Sequence, residues 1–214
     1  HPAAGRPLDV AGRCTRIVWT RQVCRNRAGE PPHRAARHPC RHTVKHILVT
    51  KDYPPKVGGI ESLLWEWWRR LPSDKFAVLT GPYDGTAEFD AGEPYRIERT
   101  REPFLLPHPW MVRQINNLVD DFGADLVVLD PAVPLGLVGP SLKVPYDLVL
   151  HGAEVTIPGR LPGSKQALAY TLRRARRIIA AGGYPAAEAD HAAGRELPTT
   201  IVPCGVDPAK FVPL

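Results

Sequence analysis

From Val44 onward the chain alternates two kinds of segment, and that alternation restricts its fold more than any other feature. One kind is short and apolar throughout: "VKHILVT" (44–50), "FAVLT" (76–80), "ADLVVLD" (124–130), "YDLVLHG" (146–152), "IIAAGG" (178–183) and "TTIVP" (199–203). The other is longer, with apolar residues every three or four positions. Residues 60–71 carry Ile60, Leu63, Leu64, Trp67 and Leu71 at that spacing, and further helices are predicted over 109–123, 163–177 and 185–194. Ser164 is a candidate cap for the helix over 163–177. A short, Pro-interrupted helix is expected over 131–142, and a short strand near "YRIER" in an otherwise loop-rich stretch, 81–107. Strands with one wet face alternate polar and apolar residues, whereas strands covered on both faces do not. The prediction is an α/β domain, a Rossmann-like, open and mainly parallel sheet with helices on both faces.

Charge separates this body from what precedes it. The 214 residues carry a net charge of +6, but residues 1–43 hold nine arginines against Asp9 and Glu30, a balance of +7, which leaves the body near −1. Residues 1–43 read as a basic, Arg- and Pro-rich disordered extension. The basicity lies outside the folded part, so no nucleic-acid partner is expected. Cys14, Cys24 and Cys40 fall in the extension at spacings that match no standard zinc pattern, and no metal is expected. The single body cysteine, Cys204, suits a reducing compartment, so the expectation is a cytoplasmic protein. The chain opens on His1 and so reads as a fragment or a processed product.

The loop "KDYPPKVGG" (51–59) leaves the first strand at the edge where such sheets bind ligands. Gly58 and Gly59 let the backbone approach a ligand closely, and the helix starting near Ile60 would aim its amide groups at an anion. The loop fits a diphosphate cradle; it is neither G-x-G-x-x-G nor a P-loop, and a plain tight turn is the competing reading. The strand "LVLHGAE" (148–154) delivers His151, Gly152 and Glu154 to the same edge. An imidazole there can bond a sugar hydroxyl or support a reacting centre. Its alternative is a histidine satisfied within a turn. Asp130 also ends a strand at that edge, but "DP" equally opens a turn.

Three motifs in this order carry a resemblance: Pro54, Pro55, Gly58 and Gly59 after the first strand; His151, Gly152 and Glu154 after a middle one; Pro203, Gly205, Val206, Asp207 and Phe211 after the last. Together, over residues 44–214, they resemble the amino-terminal half of the family-four retaining glycosyltransferases of the GT-B fold. Within the family they look most like phosphatidyl-myo-inositol mannosyltransferases, which use GDP-mannose. The resemblance implies transfer of a sugar from a nucleotide sugar to an acceptor hydroxyl, such as that of a glycolipid, with retention of configuration and no metal or other cofactor. It implies His151 as the catalytic-site histidine touching the donor sugar, and Gly58, Gly59, Gly152 and Glu154 as substrate-binding. The donor-side domain of the family has no counterpart before Leu214, so this chain is expected to be an inactive acceptor-side half. Cys204 stands where the family often has Asn or Ser.

Trp65 and Trp68, beside Arg69 and Arg70, are the candidates for contact with an anionic membrane, and imply a peripheral location at the inner face of the plasma membrane. Trp67 is assigned to the core face. A non-catalytic nucleotide- or anion-binding half-domain remains the alternative, because this fold hosts many functions.

Overall fold

The computed structural model describes residues 44–153, 155–156 and 163–205. The extension 1–43, Glu154 and the 206–214 segment with Val206, Asp207 and Phe211 lie outside the described residues.

Seven strands form one sheet: β1 (His46–Thr50), β2 (Phe76–Thr80), β3 (Arg96–Arg99), β4 (Leu126–Asp130), β5 (Tyr146–Leu150), β6 (Arg177–Ala180) and β7 (Thr199–Ile201). Their order is β3-β2-β1-β4-β5-β6-β7 and every pairing is parallel. The chain builds outward from β1 in one direction, then returns to β4 and builds in the other. The reversal between β1 and β4 is a topological switch point, where open α/β sheets form a crevice. Among the described residues, the helices with both ends defined are α1 (Gly59–Trp68), α2 (Thr86–Gly92), α3 (Pro109–Phe122), α4 (Ser164–Arg174) and α5 (Gly183–Ala193), with a 3-10 helix over Leu135–Ser141.

Neighbouring strand residues point to opposite faces, and each face has its own core. Ile47, Val49, Val127, Leu129, Leu148 and Leu150 pack under α3, the 3-10 helix, α4 and α5. Leu48, Val78, Val128 and Val149 pack on the other side with Leu64 and Trp68 of α1. β2, β4 and β5 are buried along their whole length, as uninterrupted apolar runs require. Each fully buried Leu or Ile side chain contributes about 1.5–3 kcal/mol relative to exposure.

Three local expectations need correction. α2 forms within the stretch read as loop; it buries no residue and follows Gly85 in the left-handed conformation, so it carries no apolar periodicity to detect. α4 is capped by Gly163, whose N–H donates to Gln166 Oε1 over 2.7 Å, and Ser164 is the first helical residue. On α1 Trp68, expected at the surface, is buried one turn after Leu64, and Trp67 is partly buried and packs against the same cluster.

Trp68 lies at the far end of the sheet from the strands' carboxyl ends. Its Nε1–H donates over 2.9 Å to Nε2 of His46, the first residue of β1. Burial pushes the His46 pKa below its usual 6.5, so the ring is held neutral.

Candidate active site

Because all seven strands are parallel, their carboxyl ends share one edge. β1 and β4 pair with Thr50 opposite Asp130, and β5 runs beside β4, so Thr50, Asp130 and His151 emerge from three adjacent central strands. Asp130 and Thr50 are buried, and the His151 side chain is only 10% exposed. The contacts form a directed chain. The Asp52 backbone N–H donates to Thr50 Oγ1 over 3.0 Å, and the Thr50 hydroxyl donates to Asp130 Oδ2 over 2.7 Å. The other carboxylate oxygen, Asp130 Oδ1, lies 3.2 Å from His151 Nε2.

Gly152 makes the turn that follows. Its φ of +147° is one that side-chain-bearing residues rarely adopt, and its carbonyl accepts the Val155 and Thr156 N–H groups, each at 3.1 Å, opening the next helical turn. Glycine is needed there to reverse the chain directly after the imidazole.

The glycine loop after β1 is held by alternating charges. Lys51 and Lys56 both contact Asp52, at 2.6 and 2.7 Å, and Lys56 also meets Glu61 at 2.9 Å. Burial works to raise the Asp52 pKa, but hydrogen bonds from Lys51 and Lys56 outweigh it and hold the carboxyl below its usual range. The bond to Asp52 correspondingly raises the Lys56 pKa. Arg99, at the end of β3, ties the loop to its neighbours: it donates to Pro54 O over 2.7 Å and to Gly81 O over 3.0 Å, and pairs with Asp90 at 2.7 Å.

The two adjacent glycines differ in purpose. A Cβ on Gly58 would stand 2.2 Å from Glu61 Oε2, so the buried Glu61 carboxylate packs directly on that backbone. A Cβ on Gly59 would meet nothing within 4 Å, so that backbone faces open space at the start of α1. A cavity of about 300 Å³ opens beside this loop, lined by Lys51, Lys56, Tyr83 and Phe104 among others. Tyr83 and Phe104 are exposed on its margin. A larger cavity of about 560 Å³ lies instead between β3 and α3.

Of the residues assigned to membrane contact, Trp68 does not fit this arrangement, Trp65 is partly buried and engaged within the fold, and Arg69 and Arg70 are exposed. Trp68 is 4% exposed and bonded to His46. Trp65 donates to Glu93 Oε1 over 2.8 Å and lies under the Arg69 guanidinium. Arg69 and Arg70 both pair with Glu66. The cause is helical phase: Trp68, not Trp67, continues the Leu64 stripe, and the helix carries its C-terminal end away from the ligand edge. Among the described residues, no helix is long and apolar enough to cross a membrane, and no group of three or more His, Cys, Asp or Glu is placed to hold a metal ion.

The structure thus brings His151, Gly152, Gly58 and Gly59 to one edge of one sheet. Sequence reasoning passed over Thr50, Asp52, Lys56, Glu61 and Arg99. For Thr50 the available signal was a polar residue ending a run that is otherwise apolar; Lys56, Glu61 and Arg99 carried no such signal.

A family model described as Glycosyltransferase Family 4 matches residues 57–210. The chain belongs to glycosyltransferase family 4. This family-4 chain is 27% identical over 184 residues to a GDP-mannose-dependent alpha-(1-6)-phosphatidylinositol monomannoside mannosyltransferase of Mycolicibacterium smegmatis, covering 78% of this chain and 46% of that protein. It is 27% identical over 189 residues to the monoacylated-acceptor counterpart from Corynebacterium glutamicum, covering 79% and 46%. The chain therefore spans about half the length of these curated relatives. In fold, the family-4 domain matches the crystal structure of Anabaena HepE in complex with UDP, with a TM-score of 0.58 and 17% identity over 76% of this chain and 44% of that one. The Rossmann-like half of a GT-B glycosyltransferase is its architecture.

Proposed function

We propose that this family-4 domain serves a retaining sugar transfer, with mannose from GDP-mannose as the donor group and a hydroxyl of a phosphatidylinositol-type glycolipid as acceptor. The observation that carries the reading is His151, backed by the buried Asp130 and set beside the switch-point crevice. The named activities of the Mycolicibacterium and Corynebacterium relatives support the choice of donor and acceptor class.

Each part of the edge has a role in that chemistry. His151 bonds a hydroxyl of the donor sugar and holds the anomeric carbon towards the acceptor. The start of α1, with Gly59 facing open space, takes the donor diphosphate, whose negative charge grows as the sugar leaves. The cavity between Lys51, Lys56, Tyr83 and Phe104 takes the acceptor: the ammonium groups suit a phosphodiester, and the exposed rings suit the apolar part of a lipid. Peripheral association with an anionic bilayer on the cytoplasmic side would run through these residues and not through the α1 tryptophans.

The test is a donor screen on the complete protein that carries this chain, with GDP-mannose and UDP-glucose supplied separately alongside phosphatidylinositol mannoside in vesicles. Transfer from GDP-mannose, lost in His151→Ala, is the expected result. Sugar transfer that persists undiminished in His151→Ala overturns the role of that residue. Nucleotide binding without transfer to any acceptor supports the non-catalytic half-domain instead.

A further inference from the structure

We propose that the cavity between β3 and α3 is a binding site for a neutral saccharide, separate from the edge that carries His151.

One face of α3 builds most of it. Trp110, Arg113, Gln114, Asn117 and Asp121 recur every three or four residues, so they form a single stripe along the helix. The buried residues of α3 are Met111, Ile115, Leu118 and Val119, and of these only Leu118 reaches the cavity. The stripe looks across about 560 Å³ at Arg96 and Glu98 of β3, the edge strand of the sheet. That volume falls within the range of small-molecule sites, about 300–1,000 Å³.

The lining chemistry selects the class of ligand. Two guanidinium groups, Arg96 and Arg113, stand against two carboxylates, Glu98 and Asp121, so the formal charges cancel. Arg96 pairs with Asp121 at 2.5 Å and also with Glu98, and these three form a fixed wall. Among the described residues, the side chains of Arg113, Gln114 and Asn117 and the indole N–H of Trp110 make no hydrogen bond. Each amide there offers both a donor and an acceptor, and the guanidinium offers several donors. A ligand rich in hydroxyls, each of which donates and accepts, matches that set. An anion would face Glu98 and Asp121, and an apolar ligand would strip water from the amides without replacing its bonds. A peptide added to the free edge of β3 would use the strand backbone and not the α3 amides. Trp110 supplies the apolar surface on which the C–H face of a sugar ring packs; it is partly buried against the core, which holds the indole in place.

The inference goes beyond the sugar-transfer reading and does not rest on it, since binding here needs neither His151 nor the glycine loop. The test titrates the ¹⁵N-labelled chain with two uncharged trisaccharides, α-(1→6)-linked mannotriose and maltotriose, and separately with inorganic phosphate. Saturable shifts of the Trp110 indole and of the Gln114 and Asn117 side-chain amides are expected with at least one sugar and not with phosphate. Asn117→Ala and Gln114→Ala should each weaken that sugar by about fivefold, the loss of one hydrogen bond. Trp110→Phe, which keeps an aromatic ring against the core, should retain part of the binding. His151→Ala should leave the titration unchanged, so the saccharide site and the sugar-transfer reading fail separately. No shift at these side chains with either sugar, or shifts driven by phosphate, overturns the proposal. So does full affinity in both alanine variants. Changes at the same side chains that follow protein concentration without any sugar would assign the cavity to a second copy of the chain and overturn it as well.

Discussion

His151 and Asp130, 21 positions apart in sequence, meet at 3.2 Å where two neighbouring parallel strands end. Asp130 is held in turn by Thr50 on the next strand. The imidazole therefore stands on three strands of a packed sheet and not on a loop, which is the footing that precise positioning of a reacting group demands.

Replacing that imidazole should affect chemistry far more than folding. His151→Ala in the complete protein is expected to lower kcat by about 10²-fold or more. The melting temperature should also fall, by less than the loss of rate would suggest, because the buried Asp130 carboxylate loses the partner 3.2 Å away while both hydrophobic clusters stay intact. Initial rates with GDP-mannose and a thermal melt on the same preparation check both halves of the statement.

The two loop glycines should respond in opposite ways. Gly58→Ala drives a methyl group into the Glu61 carboxylate, which is buried and paired with Lys56, and should cost about 1–3 kcal/mol. Gly59→Ala adds a methyl in open space at the first turn of α1. It should leave stability unchanged or raise it by up to about 1 kcal/mol, while weakening donor binding if the diphosphate comes close there. Urea midpoints for both variants, and donor titration for the second, decide the matter.

Acid should weaken the fold through His46. Its folded pKa lies below the usual 6.5, so the unfolded chain binds the proton more readily. The contribution is fully present above 6.5, falls with pH between 6.5 and the folded value, and is lost below that value. Chemical denaturation between pH 8 and pH 5 should show this decline in wild type, and His46→Gln should flatten part of it.

Arg99→Met should loosen the rim without touching the core. It removes donors to Pro54 O and Gly81 O and leaves Asp90 without its guanidinium. A cost of about 1–3 kcal/mol is expected, together with faster amide exchange over residues 51–57. Unchanged exchange in that segment would show that the loop does not depend on this tie.

The sheet was legible because burial on both faces leaves an unmistakable pattern: Leu126 to Leu129 can hardly be anything but a covered strand. α2 was not, since a short helix with no buried residue carries no periodicity. Trp68 was misassigned because three tryptophans in four positions blur the helical phase; burial of Glu61, Leu64 and Trp68 fixes it. The site was half legible. His151 and the glycines stand out by type and position, but Thr50 reads as one more β-branched strand residue and Asp130 as the opening of a turn. What joins them is lateral strand pairing, which no local window contains.

The Thr50–Asp130 hydrogen bond spans a seam: β2 and β3, which lie between its two partners in sequence, extend the sheet from β1, and β5 to β7, which follow Asp130, extend it from β4. The two partners are 80 positions apart. A small molecule lodged across that seam would act as a rivet between distant portions of the polypeptide, so its affinity would register as heat resistance of the entire sheet and not of one loop.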